Sequence, residues 1–439
     1  MRLLERLGLH RRELRAWAMY DWAYSGAMTT IITAVFPTYF VKVASADGPP
    51  VEATARLGLA TTIGMSVIAL LSPFLGPFAD RTAAKKRLLA GFALPGAIAI
   101  SLLFFVERGD WMLASLLFVL INITLNGSFV FYDALLPHIA NDKEIDRVST
   151  AGYAIGYIGG GTLLALNLAW ILHPEWFGLP HGEGLTPTQA TLPTRLAFLS
   201  VAIWWLVFSI PLFRFVPEPP PRSDGKETIA KAVQDLWDTL RDLLRYRQAA
   251  YLLIAYLLYT DGIGTIIRMA TAYGTEIGIG QGALIGAILM VQFIGIPFAF
   301  LFGSLATWIG AKRAIFLGLA VYCGISLLGY FMTTAVHFYL LAGLVAMVQG
   351  GTQALSRSLF ASLIPRSRSA SFFSFFSVMN KVAGFLGPAV FTLVGTFMGS
   401  SRLAVLAVMA FFILGAAALM LVDVEAGQRM ARAEESAAA

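Results

Sequence analysis

The 439-residue sequence has one cysteine, Cys323, set in an apolar run. That excludes an intramolecular disulfide and any multi-cysteine metal site. Charge is also scarce: 13% of residues are Asp, Glu, Lys or Arg, where a soluble domain carries about 25%. The five histidines (His10, His138, His173, His181 and His337) show no metal-ligand spacing. No GxxxxGK[ST] loop is present to cradle nucleotide phosphates. No Ser/His pair, acid pair or metal set falls inside an apolar segment, so neither an enzyme nor a cofactor is expected. A small-residue cleavage site is missing after the first apolar stretch, so that stretch is expected to stay in the protein.

What remains is apolar side chain. Hydrophobic residues make up 57% of the chain, and the mean hydropathy is +0.72. A water-soluble globule cannot hide that much, so a bilayer is the natural solvent. A helix needs about 20 mostly apolar residues to cross one. Twelve such spans are expected, near 17–42, 57–79, 88–106, 111–133, 149–172, 194–216, 250–274, 281–306, 314–334, 337–360, 370–398 and 402–422. Spans 9 and 10 almost touch around Thr333–Val336.

Twelve spans put both termini and the even-numbered loops on one side. Most of the 32 Lys and Arg residues fall there. They include Arg2, Arg6, Arg11, Arg12 and Arg15, the cluster Arg81, Lys85, Lys86 and Arg87, and the loop residues Arg222 to Arg247. The loop 173–193 has none. By the positive-inside rule the rich side is cytoplasmic. The formal charge of +6 is therefore a topology signal, and nucleic-acid binding is not expected. The stretch 217–249 opens with Pro217, Pro219, Pro220 and Pro221, which end span 6. It then places Ile229, Val233, Leu236, Leu240 and Leu243 at helical steps, as in a helix lying on a membrane surface or on helix ends. This divides the chain into an N-terminal six-helix bundle (1–216), a linker (217–249) and a C-terminal bundle (250–439).

The halves repeat. Gly76-Pro-Phe-Ala-Asp80 with Lys85 matches Gly303-Ser-Leu-Ala-Thr307 with Lys312. Ala134–Pro137 matches Ser362–Pro365, and Gly156–Gly159 matches Gly384–Gly387, all at nearly one offset. Duplicated bundles around a central site are a transporter architecture. The loop Gly76-x3-Asp80-Arg81-x3-Lys85 resembles the signature between spans 2 and 3 of the major facilitator superfamily, with Ala83 where that family usually has glycine. Trp17-Ala-Met-Tyr20-Asp21-Trp22-Ala-Tyr24-Ser25 resembles the opening of its vacuole effluxer-like branch, named for a fungal vacuolar amino-acid exporter. Phe131–Pro137, Gly156–Gly161 and Gly350–Ser358 are similar to that branch too. Tyr24 and Asp133 stand where it has amide side chains. The resemblance implies an all-α integral membrane protein with 12 transmembrane helices in two pseudo-symmetric bundles.

Charges inside a span cost about 2.5–3.5 kcal/mol each on insertion scales and usually face a bundle interior or a pathway. Lys381 lies mid-span in span 11, and its counterpart in the first half is Tyr153. Asp261 and Arg268 lie seven residues apart on one face of span 7, with Thr265 between them. At about 10 Å apart along the axis they cannot pair within the helix. Opposite charges on one wall suit a zwitterion, with the ammonium near Asp261 and the carboxylate near Arg268 or Lys381; structural ion pairs are the alternative. Asp21, near the cytoplasmic end of span 1 and less than two turns from Arg15, could serve as proton site, gate or helix cap. The resemblance implies that spans 1, 4, 7 and 10 line the cavity, which adds Tyr24, Ser25, Thr29, Asn122, Asn126, Gln349 and Gln353. Gly76, Asp80, Arg81, Lys85, Gly303 and Lys312 are expected to latch one conformation away from the solute. Gly152, Gly156 and Gly160 are spaced for close helix packing.

The expected function is secondary active or facilitative transport of a small solute, with or without protons, most consistent with export of amino acids or similar zwitterions by a monomer in a bacterial inner membrane. Efflux of amphipathic compounds or lipids is a second possibility. A non-transporting receptor or scaffold would call for a large soluble domain or long tail. Labels placed in loop 173–193 should react only from the non-cytoplasmic side, and labels in 222–247 only from the cytoplasm. Reaction of 173–193 from the cytoplasm would reverse the orientation.

Overall fold

The computed structural model describes residues 9–82, 84–140, 145–218, 229–365, 372, 375, 376, 379 and 384–438, and the described residues form helices and connecting loops without a strand. Among the described residues ten helices are long and apolar enough to cross a membrane: Arg12–Ala44, Pro50–Ser72, Lys85–Phe105, Trp111–Leu136, Ala151–Leu172, Pro187–Phe215, Arg247–Glu276, Ala311–Tyr330, Ala335–Ser362 and Ser401–Met420. Two shorter apolar helices, Gln281–Gly295 and Leu386–Met398, fall where spans 8 and 11 are expected. The close approach of spans 9 and 10 resolves at Thr334. Its side chain accepts the His337 N–H and so caps the start of span 10.

The outward faces carry large apolar residues, among them Leu70, Leu116, Leu340 and Phe397, all exposed on the isolated chain. Hydrocarbon is the solvent that tolerates such a surface. Inside the spans, short polar side chains bond back to their own helix. Thr61 donates to the Leu57 carbonyl at 2.8 Å, Ser101 to Ala97 at 2.9 Å and Thr352 to Val348 at 2.7 Å. In lipid no water would satisfy them otherwise.

Span 1 departs from a regular α-helix. It is π-helical over Met28–Ala34 and again over Phe40–Ala44, and such wider turns are frequent at functional sites. Span 11 is interrupted: Gly384 has φ 117°, and the regular helix resumes only at Leu386. The continuous span expected over 370–398 therefore gives way to a break, because only glycine enters that backbone region without strain.

The chain falls into two compact units. The first holds Met1–Lys226 together with Arg268–Phe293; the second holds Glu227–Ile267 together with Ile294–Ala439. In the first unit span 1 is the central element. Trp17 stacks on Tyr132 of span 4 with ring centres 4.4 Å apart, and its Nε1 donates to the Tyr132 carbonyl at 3.1 Å. Phe36 stacks on Phe118 at 4.8 Å. Span 5 approaches through Gly159, where an added Cβ would stand 2.6 Å from the Trp22 carbonyl oxygen. In the second unit Tyr322 of span 9 stacks on Phe412 of span 12 at 5.0 Å.

The amphipathic linker segment is a helix, Ile229–Arg245, with Leu243 buried and Trp237 and Leu244 exposed. A terminal helix not expected from the sequence, Val424–Ala438, packs in the second unit. Tyr246 donates to Glu434, and Gln428 Nε2 donates to Ser362 Oγ at 3.3 Å.

Two lysines repeat one device. Lys86 Nζ donates to the Val216 carbonyl at the end of span 6, 2.8 Å away. Lys312 Nζ donates to the Val422 carbonyl after span 12 at 2.6 Å and to Met420 at 3.2 Å. Each satisfies carbonyls that a helix C-terminus leaves open. The sequence repeat aligns Lys312 with Lys85, but Lys86 makes the matching contact; the buried Lys85 instead meets His138 Nε2 at 2.8 Å.

Gly159→Ala should destabilise the protein by about 1–3 kcal/mol, because span 1 backbone would have to move. Gly91→Ala, with no atom within 4 Å of the new Cβ, should be neutral or slightly stabilising. Thermal unfolding of both variants in the same detergent checks the pair; equal effects would refute the close packing of spans 1 and 5.

Candidate functional site

Span 7, Arg247–Glu276, carries the opposite charges singled out above. Asp261 is 2% exposed, and its Oδ2 accepts the Gly387 N–H at 2.9 Å. Gly387 lies in the first turn of the helix that resumes span 11, so the carboxylate sits at the positive end of that helix. Thr265 is fully buried, and its Oγ1 donates to the Asp261 carbonyl at 2.8 Å. A Cβ on Gly387 would collide with that hydroxyl. Asp261, Thr265 and Gly387 thus hold the broken span 11 against span 7. Lys381 lies outside the described residues.

Arg268 belongs to the other compact unit. It is close enough to Tyr24 of span 1 to act on it electrostatically. Asp261 and Arg268 keep their common helix face but serve different neighbours.

The hairpin Arg268–Phe293 is tied to the N-terminal helices by polar contacts. Thr271 Oγ1 donates to the Thr33 carbonyl at 2.5 Å, inside the first π-helical stretch. Gln292 Nε2 donates to Thr29 Oγ1 at 3.2 Å, and Gln281 Nε2 to Thr194 Oγ1 at 3.4 Å. Gly160 lies beside the first of these, since a Cβ there would be 2.8 Å from Thr29 Oγ1. Gln292 and Thr271 were not legible as site residues. Their only signal was a polar residue in an otherwise apolar run, which many helix contacts share.

Asp21 is 4% exposed. Ser25 Oγ donates to its Oδ1 at 3.1 Å. Arg15 does not turn toward it; its guanidinium bonds the Leu9 and His10 carbonyls instead. Tyr24 and Ser25 are half-buried, and Tyr24 packs on Phe129 of span 4 with ring centres 4.5 Å apart. Asn122 and Asn126 bond the Phe118 and Asn122 carbonyls at 2.9 and 2.8 Å. Asn122 is also packed against Gly64 of span 2, so it serves helix contact. Gln349 and Gln353, one turn apart on span 10, are half-buried and make no hydrogen bond among the described residues. Of the expected latch, Lys85 and Lys312 make the contacts given above. Gly76, Asp80, Arg81 and Gly303 lie in helices, and their side-chain surroundings lie outside the description.

Among the described residues no group of His, Cys, Asp and Glu is placed to hold a metal ion. The arrangement offers buried charges and amides along helices, which suits binding and release of a small polar solute.

Over 93–94% of its length the chain superposes on a D-xylose–proton symporter (TM-score 0.65, 13% identity, 96% of that chain) and on the nucleoside transporter NupG (TM-score 0.62, 14% identity, 99% of that chain). At such identities the likeness is one of fold. The MFS-type transporter YxiO of Bacillus subtilis is 32% identical over 415 residues, covering 94% of this chain and 95% of YxiO. Autophagy-related protein 22 of Coccidioides immitis is 25% identical over 486 residues, covering 92% of this chain and 81% of that protein. Residues 49–432 match the family described as "Vacuole effluxer Atg22 like". The chain is therefore an integral membrane transporter of the major facilitator type and belongs to the Atg22-like vacuole effluxer family.

Proposed function

We propose that this transporter exports amino acids or similar small zwitterionic solutes by alternating access, from a bacterial inner membrane with both termini in the cytoplasm. The reading rests above all on the opposite charges of span 7. Asp261 and Arg268 stand on one helix face within apolar sequence, and Lys381 follows in span 11. A zwitterion carries both charges and so matches such a wall at each end, whereas a neutral amphipath matches neither charge. The family's description as an effluxer supports the direction.

In this reading Lys381 and Arg268 receive the carboxylate and Asp261 faces the ammonium. Thr265, Tyr24, Ser25, Gln349 and Gln353 supply hydrogen bonds. Asp261 has a second duty, since one oxygen holds Gly387, so it orients span 11 as well as the solute. Gly76, Asp80, Arg81, Lys85, Gly303 and Lys312 set the balance between conformations without touching the solute.

Lys381→Met should abolish counterflow of amino acids in proteoliposomes while leaving insertion and thermal stability near wild type. A purely structural ion pair predicts the reverse: lost stability, restored when Lys381→Met is combined with Asp261→Asn. Full transport by a well-folded Lys381→Met protein would remove the carboxylate anchor from the account.

Asp80→Asn should slow cycling and leave solute affinity within a few-fold, because the residue ends span 2 at the hairpin rather than within the apolar stretch. Conformational exchange can be followed with a fluorophore pair, and affinity by equilibrium binding. Lost affinity with normal exchange would contradict the latch.

A further inference from the structure

Asp21 is a carboxylate inside span 1 that no cation meets among the described residues. Among the described residues its hydrogen-bond partner is the hydroxyl of Ser25, one turn along the same helix, and no ion pair includes it. The groups around it are known from each neighbouring element. Span 1 itself contributes Tyr20 and Tyr24, span 4 Tyr132 and Asp133, and span 5 Tyr157. Span 6 brings Trp204, stacked on Trp22 at 5.6 Å. Arg268 of span 7 acts on Tyr24. Among the described residues the charged group that acts on Asp21 is Asp133, of the same sign.

The space beside the carboxylate is closed by backbone. A Cβ on Gly156 would stand 2.7 Å from Asp21 Oδ1 and 2.6 Å from Ser25 Oγ. Span 5 therefore lies directly on the Asp21–Ser25 pair, and an amino group with its substituents has no room on that side. A hard metal cation needs about six oxygens, and the described groups offer far fewer. A lone carboxylate taken out of water escapes the cost of its charge by binding a proton, and a second carboxylate nearby strengthens that preference.

We propose that Asp21 is the proton-carrying group of the transport cycle, binding one proton on its free oxygen while Ser25 holds the other, and releasing it when the cavity opens to the opposite side. The proton comes from water on one side and returns to water on the other; no other bond is made or broken. The proposal rests on the transport reading above and adds the coupling ion and the residue that carries it. It gives the proton to Asp21 of span 1, while Lys381, Arg268 and Asp261 address the charges of the solute.

Two measurements test it, the first independent of any solute. Infrared spectra of the full chain in lipid nanodiscs should show a carboxylic C=O band at neutral pH that disappears in Asp21→Asn and persists in a Glu425→Gln control, a variant far along the chain in the terminal helix. Persistence of the whole band in Asp21→Asn would overturn the proposal. The second uses proteoliposomes and a mixture of the proteinogenic amino acids. Asp21→Asn should keep solute-for-solute exchange and lose accumulation driven by a pH gradient. Gradient-driven accumulation equal to wild type would overturn the proposal, as would equal loss of exchange and accumulation, which is the mark of a solute-binding or folding role. If wild-type protein moves no amino acid, the proposed solute class fails, and the infrared result still decides whether Asp21 holds a proton.

Discussion

Hydrocarbon offers no hydrogen bonds, and that constraint orders the rest of the structure. Every backbone polar group in a span must find its partner within the protein, so the described chain is helical and polar side chains fold back on their own helices. Thr61, Ser101, Asn122 and Thr352 all bond carbonyls one turn back. Charged residues within the described spans include Asp21, Asp133, Asp261 and Arg268, and a charge that stays in a span against an insertion cost marks a pathway more often than a scaffold.

Their settings differ in a way that suggests distinct duties. Asp261 is anchored, with one oxygen on the Gly387 N–H and Thr265 locked beside it. That contact stands at a break in span 11, where Gly384 has left-handed backbone. In the proposed function, a solute ammonium that draws the carboxylate away would release this contact and the segment it holds. Asp21 is enclosed instead, between a hydroxyl of its own helix and the bare backbone at Gly156. In the proposals above, one acid senses an organic ligand and the other a proton.

The spans were legible because membrane crossing imposes a length and a composition on contiguous sequence. The linker helix was legible for the same kind of reason: Ile229, Val233, Leu236, Leu240 and Leu243 mark one face, and the helix Ile229–Arg245 follows. Features that depend on partners far along the chain were not. The π-helical turns of span 1 adjoin Thr271 and Gln292, more than 230 residues away, and no local pattern announces them. Arg15 lies less than two turns from Asp21 in sequence, but the Leu9 and His10 carbonyls claim it. The terminal helix was missed because its residues are mostly Ala, Glu and Arg, and its contacts with Tyr246 and Ser362 are long-range. Of the candidate site, the positions of the charges could be read from sequence, and the choice of partner for each could not.

The central claim is that the solute carries both charges. The most direct measurement loads proteoliposomes with one amino acid, or with its decarboxylated amine, or with its deaminated acid, and compares their exit rates through the purified protein. The account predicts rapid exit of the amino acid and loss of transport when either charge is removed. Equal exit of all three, or exit of the amine alone, would contradict it.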